Sequence, residues 1–189
     1  MFSSRLYQWW LALDGDVSFH GFKGSGRLLD IGCNEGRGLR IYESNGFYAE
    51  GLELNEKAAA EARARGFKVH ADMLEEFLPE QSYDTVVMSN VLEHSLQPKE
   101  MLKHATRILK PGGQIWVSCP NVDSWLRVLF GRAWINWHVP FHIVHFSEDT
   151  LRDMLEDSGF MDITIRQETP AHWFAQSAIA YLFARKGQR

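Results

Sequence analysis

From Arg27 onward the chain alternates between short aliphatic runs and longer stretches in which apolar residues recur every three to four positions. The first run, Arg27-Leu28-Leu29-Asp30-Ile31, ends at a glycine-rich turn, and helical spacing follows over Gly38 to Asn45, stopped near Gly46. Tyr48 to Leu54 reads as a second strand. Asn55 can cap a helix over Glu56 to Arg65, because its side-chain oxygen can accept from free first-turn amides and the Ala-rich interior has high helix propensity. Gly66 then acts as a C-terminal stop. Phe67 to Ala71 and the β-branched Tyr83 to Ser89 read as strands three and four. Pro98 opens the next helix, where its missing N–H is harmless, and Met101, Leu102, Ala105, Ile108 and Leu109 repeat at helical spacing. A Lys110-Pro111-Gly112-Gly113 turn leads into a fifth strand, Gln114 to Cys119, stopped by Pro120.

After Pro120 the rhythm changes. Asn121 to Phe146 is rich in Trp and His, with Gly131 and Pro140 interrupting any long helix. Ser147 can cap a helix with Leu151, Met154 and Leu155 on one face, ended by Gly159. Met161 to Gln167 and Ala178 to Ala184 read as two closing strands. The first 24 residues hold an amphipathic stretch (Leu6, Trp9, Trp10, Leu13) that suits a helix packed on the domain. Strands alternating with helices argue for an α/β fold with a mostly parallel sheet.

Length and composition narrow this without redirecting it. A single domain is the expectation for 189 residues, a size that buries roughly 70% of its unfolded surface. A formal net charge of −4 leaves no electrostatic footprint for nucleic acid. Two cysteines, Cys33 and Cys119, make no disulfide framework. No apolar run approaches the roughly 20 residues that span a bilayer, and the amino terminus lacks a secretory pattern, so a cytoplasmic protein is expected. Aromatic content is high, with 7 Trp and 12 Phe, a usage that suits core edges and ligand pockets alike.

The segment Leu28-Leu29-Asp30-Ile31-Gly32-Cys33-Asn34-Glu35-Gly36-Arg37-Gly38 runs from a strand through a glycine turn into a helix. Such a turn lets the backbone approach a ligand and aims free N–H groups at its acceptors. About twenty residues after Gly32 comes Glu53, placed to accept hydrogen bonds from ribose hydroxyls. A dinucleotide site wants G-x-G-x-x-G. Here Asn34 takes the central glycine position, and Glu35 sets a carboxylate where a diphosphate would lie. An NAD-linked oxidoreductase is therefore the weaker alternative; adenosine without phosphates fits better.

Asp30-x-Gly32-Cys33-x-x-Gly36 followed by Glu53 resembles motif I and the ribose-binding acid of class I S-adenosylmethionine-dependent methyltransferases. Asp72 resembles the family acid that bonds the adenine amino group. Asn90-Val91-Leu92-Glu93-His94 resembles its V-L-E-H motif, and Ile108 to Gly113 its L-K-P-G-G turn. The resemblance implies a Rossmann-like, doubly wound sheet of seven strands in the order 3-2-1-4-5-7-6, the last antiparallel, within one domain spanning 1–189. Residues 1–24 would form a helical cap, and 121–146 an acceptor-side insertion or lid. It further implies S-adenosyl-L-methionine held by Asp30, Gly32, Cys33, Asn34, Gly36, Glu53, Leu54, Asp72, Met73, Asn90 and Val91. The implied reaction is methyl transfer to a small-molecule or glycan acceptor, most simply at a hydroxyl. A cofactor-binding domain without turnover is the other reading.

Pro120-Asn121-x-Asp123-Ser124, Trp134, Pro140-x-His142 and Phe146-Ser147-x-x-Thr150-Leu151 resemble a branch that includes ubiquinone-type O-methyltransferases. Quinone enzymes carry a metal-binding Glu three residues before the Glu of L-E-H; here Asn90 stands there, so no metal is expected. Methyl transfer needs mainly a near-attack geometry and a route for the acceptor's proton. Candidate bases are His94, His138, His142 and His145, with His142 first and His94 second as catalytic residues. Pro140 breaks the helical spacing that a zinc site from His138, His142 and His145 would exploit. The apolar stretch Trp125 to Trp137 reads as packing with lid function, and a membrane-surface contact stays open beside it.

Overall fold

A computed structural model describes residues 19–186; the amphipathic stretch at Leu6, Trp9, Trp10 and Leu13 lies outside the described residues. The strands β1 (Arg27–Ile31), β2 (Tyr48–Leu52), β3 (Lys68–His70), β4 (Tyr83–Ser89) and β5 (Leu109–Ser118) form one sheet in the order β3-β2-β1-β4-β5. Every neighbouring pair is parallel, so each connection must cross over the sheet. The first, second and fourth crossovers carry α1 (Arg37–Ser44), α2 (Glu56–Ala64) and α3 (Pro98–Ile108).

The period-two alternation of strand side chains explains the layering. Leu28 and Val87 turn to one face and pack with Leu39, Tyr42, Ala59 and Ala62. Leu29, Ile31, Val86 and Met88 turn to the other and meet Leu102, Ala105 and Ile108. Both faces are covered, as an all-parallel sheet requires. The expected caps are in place: Asn55 Oδ1 accepts from the Lys57 and Ala58 amides, and Pro98 opens α3. In β5 Leu109 pairs with Tyr83 and Gln114 with Thr85, so Lys110 to Gly113, expected as a turn, bulge within the strand.

Beyond β5 come α4 (Trp125–Phe130), α5 (Glu148–Asp157) and α6 (Ala171–Lys186). Ser147 Oγ accepts from the Thr150 amide and so caps α5. Here the seven-strand expectation fails: the described residues form five strands, and the order 3-2-1-4-5-7-6 gives way to 3-2-1-4-5. Met161 to Gln167 lies without regular secondary structure. Ile163 packs on the core, but a cleft of about 1060 Å³ separates this stretch from β5, so its backbone finds no ladder. Ala178 to Ala184 falls inside α6. Its alanines and leucine favour helix, and the helix sets Trp173 and Ala178 on the buried Leu126, Phe130 and Trp134. Ser177 is fully buried, and its Oγ accepts from the Ile135 amide. Among the described residues no helix is long and apolar enough to cross a membrane.

Candidate active site

Strand order reverses beside β1, which lies between β2 and β4; in open α/β sheets ligands bind outside the carboxyl ends of strands at such a point. The chain leaves β1 through Gly32, whose φ of +74° is left-handed and whose amide bonds Leu52 O. A Cβ on Gly32 would lie 2.7 Å from Val91 Cγ2, so the glycine lets the loop after β1 touch the segment after β4. Gly36, at φ +75°, starts α1, and a Cβ there would press on Phe67 and Ala62. The Cys33 thiol points inward, since a Cβ on Gly51 would sit 2.3 Å from its Sγ. Burial pushes that thiol up to about 12, so only the Cys33 backbone is available to a ligand.

Glu53 closes this crevice. Its Oε2 accepts from the Asn34 amide at 2.9 Å and its Oε1 from the Asn55 amide at 2.8 Å. Two backbone donors fix the carboxylate, and each oxygen keeps acceptor capacity for a hydroxyl. Leu54, Asp72 and Met73 are exposed at the neighbouring strand ends, which the bond from the Glu53 amide to His70 O holds together. Asn90 is exposed at φ +52°, and its amide bonds Ser118 O. Asp30 is buried under the loop, and desolvation, with the Glu53 charge adding to it, raises its carboxyl to about 7.

A second cluster forms where the inserted segment returns to the sheet. Glu93 O accepts from the amides of Ile143 and Val144. His94 Nδ1 lies 2.8 Å from Phe141 O, and His142 Nδ1 lies 2.8 Å from Asn136 O. A carbonyl can only accept, so both Nδ1 atoms carry the proton, and Nε2 is the lone-pair nitrogen of each neutral ring. His142 Nε2 stands 3.9 Å from Glu93 Oε1, and the two imidazole centroids are 4.9 Å apart. Glu93 is 1% exposed, neither of its oxygens has a hydrogen-bond partner, and burial lifts its carboxyl to about 7. Burial also lowers His142 from its ordinary value. His138 stacks edge-on against His142 at 4.8 Å; His145 is farther, at 6.3 Å, and packs on Trp137.

Residues 12–165 match the family model described as a methyltransferase domain. A protein of Mycolicibacterium smegmatis named as a probable S-adenosylmethionine-dependent methyltransferase is 31% identical over 163 residues, which are 85% of this chain and 60% of that protein. The chain belongs to the S-adenosylmethionine-dependent methyltransferases. The ubiquinone biosynthesis O-methyltransferase of Klebsiella pneumoniae is 27% identical over 124 residues, 60% of this chain and 51% of that enzyme. A crystal structure of a methyltransferase from Thermotoga maritima superposes with a TM-score of 0.66 at 25% identity, covering 84% of this chain and 78% of the other. This chain thus spans between half and two thirds of the length of these two relatives.

In this methyltransferase the two halves of the predicted site meet through Val91. Asp30, Gly32, Asn34 and Glu53 gather at the β1 and β2 ends, and His94 and His142 come together although 48 positions separate them in the chain (142 − 94 = 48). What sequence reasoning missed is Glu93. The V-L-E-H match marked it, but only the structure reveals a buried carboxylate with nothing bonded to it. Asn90 leaves the quinone-type metal set one carboxylate short, and His142 stands in reach of the other two members.

Proposed function

We propose that this protein transfers the methyl group of S-adenosylmethionine to a hydroxyl of a small-molecule or glycan acceptor. The observation that carries this reading is the packing of the Gly32 loop, with Glu53 at its edge, against Val91, two residues from Glu93. Glu53 accepts from the ribose hydroxyls, and the backbone of Gly32, Cys33, Asn34 and Gly36 follows the methionine portion. Leu54 and Met73 flank the adenine, Asp72 bonds its amino group, and Asn90 and Val91 floor the pocket. Asp30 faces the cationic end of the cofactor. The enzyme's work at the methyl group is largely positional: the acceptor oxygen must lie in line with the sulfur–methyl bond, roughly 3–3.5 Å from the carbon.

His142 and His94 stand on the acceptor side, where a proton must leave as the oxygen attacks. The similarity of the chain to a ubiquinone-biosynthesis O-methyltransferase supports oxygen as the nucleophile. Release of S-adenosylhomocysteine, measured across a panel of phenols, sugars and hydroxy acids, tests the reading. A productive acceptor should lose at least about 100-fold in turnover in His142→Ala, with cofactor affinity by calorimetry unchanged. A protein that binds the cofactor tightly yet methylates no acceptor would instead be a binding module.

A further inference from the structure

A buried, ionisable carboxylate with no partner is expensive, because desolvation penalises its charged form and nothing offsets the penalty. Glu93 is such a group, with both oxygens enclosed and unbonded. Beside it, one donor atom each from Glu93, His94 and His142 lies within 4.8 Å of the other two. Each imidazole is fixed through Nδ1 by a backbone carbonyl, at Phe141 and Asn136. That outer contact is the one that orients metal-bound histidines and makes their free nitrogen a better donor. Three features of a metal centre are therefore present together: a buried carboxylate with no hydrogen-bond partner, two imidazoles each oriented by a backbone carbonyl, and a donor atom from each of the three residues within 4.8 Å of the others.

We propose that Glu93, His94 and His142 bind one divalent transition-metal cation of the zinc, cobalt or manganese class. Two histidines and one carboxylate are the donor set of catalytic sites that keep a coordination position open. The donors come from two places, the turn after β4 and the returning inserted segment, so the cation also ties that segment to the sheet. The contact of His142 with Glu93, at 3.9 Å, is longer than a hydrogen bond and leaves room for an ion between them. Binding itself does not depend on the methyl-transfer reading. Its catalytic meaning does rest on that reading: a cation here would acidify an acceptor hydroxyl directly, and the imidazoles would serve as ligands.

The test uses untagged protein stripped with chelator and then titrated with Co²⁺. The expected result is a visible d–d absorption that saturates at one ion per chain and is bleached by Zn²⁺. Glu93→Gln and His142→Ala should each weaken binding by more than about tenfold, since even outer-shell losses reach that size. Calorimetry with S-adenosylmethionine on the same variants confirms that the fold and the cofactor crevice persist. Absence of stoichiometric Co²⁺ binding overturns the proposal, as does binding that both variants retain at full strength. Loss of S-adenosylmethionine binding in the wild type would refute the cofactor reading and leave the metal result standing.

Discussion

Replacing Asp30 by Asn should make the stability of the ligand-free protein depend less on pH, and the size of the change follows from where Asp30 sits. The residue is 6% exposed, and desolvation, with Glu53 adding to it, raises its carboxyl from 3.8 to about 7. An acid whose folded value is raised binds more protons in the folded state than in the unfolded one. Folding stability therefore falls as pH rises from about 4 to 7 and levels off above that. At 1.36 kcal/mol per pKa unit the full penalty approaches ~4 kcal/mol, of which about 2 kcal/mol develops between roughly pH 5.5 and 8.5. Asn is nearly isosteric and does not titrate, so ionising groups that do not interact with Asp30 cancel between the two proteins, and only its neighbours Glu53 and Cys33 feel the lost charge. Urea unfolding at both pH values should show the wild type losing about 2 kcal/mol relative to Asp30→Asn. Adding S-adenosylmethionine should reduce the difference, because a cationic ligand stabilises the ionised carboxylate. Parallel stability curves across that range would refute the assignment of Asp30 as a desolvated acid.

Two further outcomes separate the crevice from the core. Glu53→Ala should weaken S-adenosylmethionine binding by about 1–3 kcal/mol in calorimetry, since charge-assisted hydrogen bonds to the ribose are lost; unchanged affinity would place the ribose elsewhere. Leu102→Ala removes a fully buried side chain beneath the sheet and should lower stability by about 2–5 kcal/mol in urea unfolding, without altering cofactor affinity at temperatures where the protein stays folded.

The parts of the molecule that sequence revealed are those governed by local rules. β4 runs from Tyr83 to Ser89 as its β-branched pattern requires, and the loop after β1 needs left-handed glycines at Gly32 and Gly36 that no other residue supplies so cheaply. The two closing strands failed because a short apolar run carries no period of its own. Ile163 packs on the core and Ile165 is half-buried, yet a ladder needs a second backbone, and the cleft beside β5 holds none among the described residues. In α6 the residues around Ser177 answer to Trp134 and Ile135, some 40 positions earlier in the chain. Glu93 was illegible for a related reason: whether a carboxylate is exposed or enclosed depends on the segment that comes back to cover it.

That difference between local and assembled structure divides the site itself. The crevice proposed for the cofactor consists of one turn and the ends of adjacent parallel strands, so its geometry is set once the sheet forms; the Gly32 amide bonds Leu52 O, and the Asn34 amide bonds the Glu53 carboxylate. The proposed acceptor side depends on a clamp. Glu93 O holds the Ile143 and Val144 amides, Phe141 O holds His94, and Asn136 O holds His142. Because these bonds use main-chain atoms of the inserted segment, the side chains between Trp125 and Phe141, other than the buried Leu126, Phe130, Trp134 and Asn136, are free to differ without loosening it. Several of them, Trp125, Val128, Leu129 and Phe141, are exposed and apolar. Under the proposed function, a scaffold in which backbone secures this segment and exposed side chains face outward can exchange acceptors while the carboxylate–imidazole cluster and the proposed cofactor crevice stay unchanged. Acceptor choice should then follow substitutions at those four positions, and cofactor affinity should not.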